Sequence, residues 1–414
     1  MQNASRFRVG HVDGFGGFLP HGLRHFCRPG IFVGPAFFKG VLPRILWRSE
    51  RLAYAILSVI RQTADVPIQK IAAETPSPMT GFVVTDLPGS TRATGVVRLA
   101  KKILMDGAKT MARSQTYAWA ILNEQVSGAS AGVSVDPAES QAGMVAFVGA
   151  VLDRVSAGEL SLEAAKGVSD SDLSTLAQAD TRSKIGQTAR ANGTLNQELL
   201  ASGAFASAAT AHGALEGARV ILEGTGANTA AFIAAAATHG AHIVGLGTFA
   251  GAVVNPEGFN LDDLLGLLAE SGTALPTSLG SEVPSNELFQ TQTDLLFCGS
   301  KMGLIDHLLA ETLDCKMVVP VAPAPVTAKG LAVATHRGIA VLPDFISTAG
   351  PLFADHPPDS ATAEQIVATA TDTLSSALGQ LSTHPEGLYL AACYAAEAFL
   401  LTWQESLPFG RPLA

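Results

Sequence analysis

The stretch that says most about the fold is ARVILEGTGANTAAFIAAAATHGAHIVGLGT, residues 218–248. A short apolar run is followed by a Gly-Thr-Gly turn, an alanine-rich segment and a second apolar run. Apolar runs of this length are typical of buried parallel strands, and the segment from about Asn228 to His239 predicts a helix between them. Strand, glycine turn, helix and strand is the order of a dinucleotide-binding βαβ unit, in which a pyrophosphate lies at the helix N-terminus.

The glycine pattern G-x-G-x-x-G of such units is only partly present. Gly224 supplies the tight turn, and Gly226 lets the backbone approach a phosphate. Thr229 stands where the third glycine would allow close packing of helix on strand, so we expect a tighter contact or a helix that lies further out. The residues predicted to contact the pyrophosphate are Gly224, Thr225, Gly226, Ala227 and Asn228.

The acid that usually binds the adenosine ribose, about 20 residues after the turn, is missing. Its position falls near Thr248, in the segment GTFAG over 247–251, which contains no acid and no Arg or Lys for a 2′-phosphate. Two interpretations therefore remain open. The site binds NAD or NADP weakly, or a Rossmann-type layer folds but has lost the nucleotide.

Composition excludes several classes of protein. The 414 residues predict roughly two or three domains, and 47% hydrophobic against 15% charged residues supply large cores and buried subunit contacts. The net charge of −9 argues against nucleic acid as the main partner. No apolar run approaches the roughly 18–20 residues of a membrane span. The four cysteines are scattered and match no metal or redox spacing, so we expect a cytoplasmic protein with reduced thiols and no resident metal.

Strands and helices alternate along most of the chain, which predicts an α/β fold with a parallel sheet and crossover helices. Residues 1–48 differ, since they are basic and rich in Gly and Phe, and they predict an extension that is poorly ordered or contacts another subunit. Helices are predicted over 49–62, 109–122, 141–155, 363–381 and 385–403, and as short pieces within 156–207. Strands are predicted over 79–87, 95–99, 133–135, 294–297, 317–319 and 339–342.

Three further segments carry a family resemblance. GAVVNPEG at 251–258, GIAVLPDFI at 338–346 and GVVR at 95–98 together resemble the glutamate/leucine/phenylalanine/valine dehydrogenase family, from about Leu52 to Trp403. The resemblance implies a two-domain amino-acid dehydrogenase-like fold that assembles into a homo-oligomer through its substrate domains. The implied parts are an extension over 1–48, a substrate-type domain over 49–190, a Rossmann-type nucleotide-binding domain over 191–350 and C-terminal helices over 351–414 that pack on the substrate-type domain.

The family's chemistry is NAD(P)-dependent oxidative deamination of an L-amino acid. One lysine binds the substrate carboxylate, and a second, in a glycine-rich loop, has a lowered pKa and activates water. Counting from Arg98, the first lysine position falls on Ala118. The second falls on Ser130, in the loop GASAG at 128–132, and the Asp136-Pro137 pair fixes this register. The family's proton-shuttling aspartate loosely matches Asp180.

The cofactor side also departs from the family. Pro323, Gly303 and Thr348 stand where the family has asparagines, and Lys301 adds a charge near the expected cofactor edge.

These replacements limit the chemistry that the chain can perform. Ala118 cannot bind a carboxylate by charge, and the hydroxyl of Ser130 is a poor base without a partner. Arg98 is the remaining candidate for anion binding, although a structural arginine fits equally well. Asp180 in a polar segment is equally explained as a helix cap.

Two hypotheses follow. The first is a diverged, non-deaminating pseudoenzyme with a binding, oligomeric or regulatory role, partnered with itself or with an active paralogue. The second is an active NAD(P)-dependent oxidoreductase whose substrate lacks a free carboxylate or is an imine. Ordinary deamination would require a different register of the two lysine positions.

Overall fold

The structure is a computed structural model that describes residues 66–74, 78–271, 275–407 and 410–414. The basic extension and the helix predicted over 49–62 lie outside the described residues. Within those residues, none of the helices combines the length and the apolar character of a membrane span.

The first sheet has five strands in the order β1-β2-β4-β3-β5. The antiparallel pairs are β1–β2 and β2–β4, whereas β3 is parallel to both β4 and β5. The strands are β1 (Ile68–Glu74), β2 (Pro78–Thr85), β3 (Ala93–Ala100), β4 (Ser127–Ser134) and β5 (Leu160–Ala164). The helices of this part are α1 (Met105–Ile121), α2 (Ser140–Ser156) and α3 (Ser174–Ala179). Helix α1 packs on the face with Phe82 and Val84, and α2 packs on the opposite face with Val83 and Ala131.

The prediction of a glycine-rich loop at 128–132 was wrong, because these residues form the middle of β4 and all five are buried. At Gly128 an added Cβ would lie 1.8 Å from the carbonyl oxygen of Ala112, so the missing side chain lets α1 pack directly on the strand backbone. A strand built from Gly, Ala and Ser carries no apolar alternation, which is why only 133–135 was predicted as strand.

The second sheet has seven strands in the order β11-β10-β9-β8-β12-β13-β14. Five neighbouring strands of this sheet are parallel, namely β9, β8, β12, β13 and β14. Strands β10 and β11 form an antiparallel edge that we did not predict from the sequence. The strands are β8 (Arg219–Glu223), β9 (His242–Thr248), β10 (Gly251–Val254), β11 (Ser281–Val283), β12 (Leu295–Cys298), β13 (Met317–Pro320) and β14 (Ala340–Val341). The fold is α/β with a Rossmann-type, mostly parallel sheet, as predicted.

Helices cover both faces of the second sheet. They are α4 (Leu195–His212), α5 (Thr229–Thr238), α6 (Leu261–Ser271), α7 (Ser285–Leu288), α8 (His307–Thr312), α9 (Ala328–His336) and α10 (Asp344–Ser347). A two-strand ribbon of β6 (Ala189–Arg190) and β7 (Gly193–Thr194) precedes α4. The region 156–207 therefore contains β5 and the start of a long helix besides the short helices that we predicted.

The predicted βαβ unit is present, with Gly224 and Gly226 at the strand-to-helix turn. A 3₁₀ turn over Gly226–Asn228 precedes α5, so the regular helix begins one residue later than predicted. Thr229, at the third glycine position, is buried. Its hydroxyl bonds the Gly226 carbonyl oxygen at 2.7 Å and lies 2.7 Å from the Thr225 hydroxyl, so this turn satisfies its own polar groups.

Two helices close the chain, α11 (Ala363–Leu381), which packs on α4, and α12 (Leu388–Leu400), which packs on α1. The predicted helix over 385–403 is therefore shorter at both ends. A buried polar cluster supports this arrangement: the Asp344 carboxylate accepts hydrogen bonds from Ser114 Oγ (2.6 Å), Ala324 N (2.8 Å) and Tyr389 Oη (3.2 Å). Burial raises the pKa of Asp344, and the three donors oppose that rise. The cluster joins α1 and α12 to the carboxyl edge of the second sheet.

Candidate functional site

The glycine turn after β8 is held rigidly by the loop after β12. Gly224 and Gly226 have φ values of +67° and +54°, which favour glycine. An added Cβ at Gly224 would lie 2.2 Å from the backbone nitrogen of Ser300. The Glu223 carboxylate accepts hydrogen bonds from the backbone nitrogens of Gly299 (3.1 Å) and Ser300 (3.3 Å), which fixes this loop against the turn.

Gly226 has a different environment. No heavy atom lies within 4 Å of the position that its Cβ would take, so space is open beside it. The turn leads into the N-terminus of α5, where the helix dipole favours an anion, although Asn228 N already donates to the Thr225 carbonyl oxygen at 3.0 Å. Open space at a glycine next to a helix N-terminus fits a pyrophosphate.

The adenosine side offers less to a nucleotide. Thr248 ends β9, and its hydroxyl accepts a hydrogen bond from Ala250 N at 3.1 Å. Phe249 is 94% exposed at the tip of the β9–β10 hairpin. Lys301 is exposed and directly follows Ser300, on the other side of the glycine turn. The glycine turn therefore fits the pyrophosphate of a dinucleotide, whereas the adenosine ribose is offered only the hydroxyl of Thr248.

The two predicted lysine positions are buried. Ala118 is 3% exposed on α1, and Ser130 is fully buried in β4. Ser130 Oγ accepts a hydrogen bond from Arg98 Nη2 at 3.4 Å. Arg98 Nε is buried and has no hydrogen-bond partner among the described residues, and burial lowers the pKa of Arg98. One donor of the Arg98 guanidinium, Nε, is thus buried and unpaired among the described residues, and Ser130 shares the guanidinium.

Asp180 lies in a polar cavity of about 260 Å³. Asp180 ends α3 as its C-terminal cap through its backbone N–H, and its carboxylate contacts Arg182 Nη2 at 3.0 Å. Arg182 Nη1 also lies 3.2 Å from Asp355 and 3.7 Å from Glu163. Three carboxylates from separate segments therefore surround one guanidinium, whose side chain is only 10% exposed.

Arg182 opposes the effect of burial on the pKa of each of these acids. Burial acts to raise the pKa of Asp180, but the hydrogen bonds and charge of Arg182 outweigh it and hold that pKa below its usual value. Burial raises the pKa of Asp355, and the charge of Arg182 only partly opposes that rise. The cavity therefore contains acidic groups that already face a cation.

The cavity and the glycine turn are neighbours. Asn196 lines the cavity, and the next residue, Gln197, donates from Nε2 to the carbonyl oxygen of Ala227 at 3.1 Å. Ser130 and Glu163 both pair with Val96 of β3, which places them on the face of the first sheet that also carries Arg98.

Our sequence reasoning missed Arg182, Glu163 and Asp355. The spacing of Arg182 two residues after Asp180 was a usable signal for an ion pair. Nothing in the sequence connects Asp355 to Asp180 or Arg182, because Asp355 is distant along the chain and meets them only in the folded structure.

Comparisons with known proteins agree with this arrangement. A sequence profile of the Glutamate/Leucine/Phenylalanine/Valine dehydrogenase family matches residues 200–354. A 139-residue stretch is 30% identical to the NADP-specific glutamate dehydrogenase of Saccharolobus shibatae, and a 138-residue stretch is 35% identical to the NAD-specific glutamate dehydrogenase of Staphylococcus aureus. Residues 200–354 are therefore similar in sequence to the glutamate/leucine/phenylalanine/valine dehydrogenase family. Each of the two stretches covers about a third (33%) of this chain and of its relative.

Solved structures extend the likeness of fold beyond this stretch. The hetero-hexameric glutamate dehydrogenase from Thermus thermophilus (Leu bound form) has a TM-score of 0.68 and 19% identity, covering 86% of this chain and 97% of that one. The L-tryptophan dehydrogenase from Nostoc punctiforme has a TM-score of 0.54 and 14% identity. The family profile includes the glycine turn, whereas Ala118, Ser130 and Asp180 precede the matched residues.

Proposed function

We propose that this chain is a diverged member of the dehydrogenase family that does not catalyse ordinary oxidative deamination. In this proposal it keeps a NAD or NADP site on the two-domain scaffold and acts as a binding, oligomeric or regulatory subunit. The observation that carries the proposal is the burial of Ala118 and Ser130 at the two positions assigned to lysines.

The two replacements remove positive charge from the site. A methyl group at Ala118 cannot neutralise a substrate carboxylate, and the hydroxyl of Ser130 does not titrate near neutrality. Arg98, the remaining cation near Ser130, is half-buried. Loss of a general base alone reduces a rate by roughly 10²–10⁴-fold. The missing carboxylate anchor adds to that loss.

Retained nucleotide binding is supported by the turn at Gly224 and Gly226 and by the relatives, of which one is NADP-specific and another NAD-specific. The bound dinucleotide would supply a hydride acceptor or donor next to the cavity. In this chain the backbone at Gly226 and Ala227 would hold its pyrophosphate. Because no acid binds the ribose, we propose an affinity below that of an ordinary Rossmann site.

We expect no reduced nicotinamide to form when the purified chain is mixed with NAD or NADP and glutamate, leucine, valine or phenylalanine. The reason is the absence of both a titratable base and a carboxylate anchor. Absorbance of the reduced cofactor measures it, with the Staphylococcus aureus glutamate dehydrogenase as the positive control on glutamate. Robust turnover of any of the four amino acids would show that the assigned lysine positions are wrong.

A second candidate function is an active NAD(P)-dependent oxidoreductase on an amine or imine without a free carboxylate. The acids around Arg182 favour it, since Asp180, Glu163 and Asp355 lie in a cavity next to the nucleotide turn. Such a substrate needs no carboxylate anchor. Cofactor oxidation with imines, formed from simple ketones and ammonia, would favour this candidate over the non-catalytic one.

We also propose that the chain forms a homo-oligomer, with an active paralogue as the alternative partner. The hetero-hexameric relative from Thermus thermophilus supports assembly, as does the exposure of Val145 on α2. Light scattering at micromolar concentration is expected to give a mass that is a multiple of 42.7 kDa. A monomeric mass under these conditions would contradict the proposal.

A cytoplasmic location is proposed from the thiols. Cys298, Cys315 and Cys393 are free, and burial raises the pKa of Cys315 to about 12. Buried, protonated thiols without disulfide partners are typical of proteins from reducing compartments.

A further inference from the structure

Phe249 is an unusually placed aromatic residue. It lies at the tip of the β9–β10 hairpin and is 94% exposed. The other highly exposed large apolar side chains in the described part of the chain, Leu104, Val145 and Leu308, are less exposed. Thr248 pairs with Gly251, and the Thr248 hydroxyl accepts from Ala250 N, so the turn that presents Phe249 has a fixed backbone. Leaving such a side chain in water forfeits the free energy of burying it.

The hairpin lies at the same edge of the sheet as the glycine turn. Strand β9 is parallel to β8, and Glu223 pairs with Gly247. Gly224 N donates to the Gly247 carbonyl oxygen at 3.1 Å, which ties the turn to the end of β9. Phe249 follows Gly247 by two residues, so it lies beside the turn on the side away from β12.

The topology assigns one half of a dinucleotide to that side. In open α/β sheets a ligand lies outside the carboxyl ends of the strands, at the point where the strand order reverses. Here that point lies between β8 and β12. The adjacent polar cavity contains the acids around Arg182, so the reactive end of the cofactor belongs there. The adenosine end then extends from the glycine turn toward β9 and Phe249.

We propose that the Phe249 ring stacks on the adenine of the bound nucleotide and replaces the missing ribose-binding acid as the main adenosine contact. This inference rests on the proposed nucleotide site. Stacking contacts the base and makes no contact with the 2′ position of the ribose. Residues 247–251 contain no acid to repel a 2′-phosphate and no Arg or Lys to attract one. The site therefore binds NADH and NADPH with similar affinity.

Calorimetric titration with NADH, NADPH and ADP tests the inference on the full chain and on Phe249→Ala. We expect the variant to bind all three ligands about 5- to 150-fold more weakly, the range for loss of one base–aromatic contact. Phe249→Tyr, which keeps the ring, is expected to stay close to the wild type. Leu308→Ala removes another exposed apolar side chain, 62% exposed, and serves as the matched control without effect.

The outcomes separate the inference from the function on which it rests. If the wild type binds none of the three ligands, the proposed nucleotide site is wrong and the stacking inference fails with it. If the wild type binds but Phe249→Ala binds equally well, only the stacking inference is wrong. A change in mass by light scattering with unchanged affinities would instead assign Phe249 to a protein contact. A binding preference above about 30-fold for NADH or NADPH would overturn the claim that the protein does not recognise the 2′ position.

Discussion

Replacing Arg182 with methionine is expected to lower the free energy of unfolding by about 3–5 kcal/mol near neutral pH, the range for removing one partner of a buried ion pair. Methionine keeps much of the side-chain volume but leaves Asp180 and Asp355 without their cation. The two carboxylate side chains are 5% and 9% exposed, so water compensates them poorly. Urea unfolding measures the change.

The loss is expected to depend on pH. In the wild type the pKa of Asp180 is lowered, so its contribution to stability is present above the unfolded-state pKa of about 3.9 and is lost as pH falls through the lower folded-state value. Without Arg182, burial raises the pKa of Asp180 instead, and that of Asp355 rises further. The variant then takes up protons on folding as pH falls. Its stability deficit is therefore largest near neutral pH and shrinks in acid.

Lys184→Met is the matched control. Lys184 also contacts Asp180, at 3.6 Å, but its side chain is 48% exposed, so we expect a loss below about 1 kcal/mol. Equal losses for the two variants, or a deficit of Arg182→Met that does not change with pH, would show that Arg182 does not carry the charge balance of the cavity.

Placing lysines at both family positions, in the double variant Ala118→Lys/Ser130→Lys, is expected to destabilise the fold without restoring deamination. Ala118 is 3% exposed and Ser130 is fully buried, so each ammonium would lose most of its hydration. A lysine at 130 would also lie against Arg98, which contacts the present hydroxyl at 3.4 Å. The expected loss is several kcal/mol by urea unfolding, the size found for uncompensated buried charge.

Ser130→Ala controls for the loss of the hydroxyl alone, which should cost about 1–3 kcal/mol or less because one long hydrogen bond is removed. A double variant that folds and deaminates an amino acid would refute the proposed function. It would show that the cofactor side is intact despite Pro323, Gly303 and Thr348, and that the two lysines alone separate this chain from its active relatives.

The second sheet could be predicted where the chain uses large apolar residues. Val220, Ile221 and Leu222 of β8 are all almost fully buried, so the sequence shows the strand as a continuous apolar run. The turn after it needs left-handed backbone at Gly224 and Gly226, and only the pattern of glycines marks that requirement.

The predictions for β2 and β3 of the first sheet are confirmed, but β4 and the charged cavity could not be predicted in the same way. Strand β4 is built from Gly, Ala and Ser, because the backbone of α1 approaches it closely at Gly128, and such a strand resembles a loop in sequence. The carboxylates around Arg182 come from β5, from the end of α3 and from the segment after α10. Their meeting depends on how the segments pack and leaves no local pattern.

The carboxylate of Glu223 gives the carboxyl edge of the second sheet a resident anion of its own. It occupies the amides of Gly299 and Ser300, so those donors are already satisfied and the loop after β12 has its shape before any ligand arrives. A nucleotide at Gly226 would therefore meet a preorganised surface and lose little free energy in ordering the protein. The same arrangement limits the affinity of the site for a nucleotide. A phosphate cannot accept hydrogen bonds from those two amides without displacing the Glu223 carboxylate, which stabilises the fold.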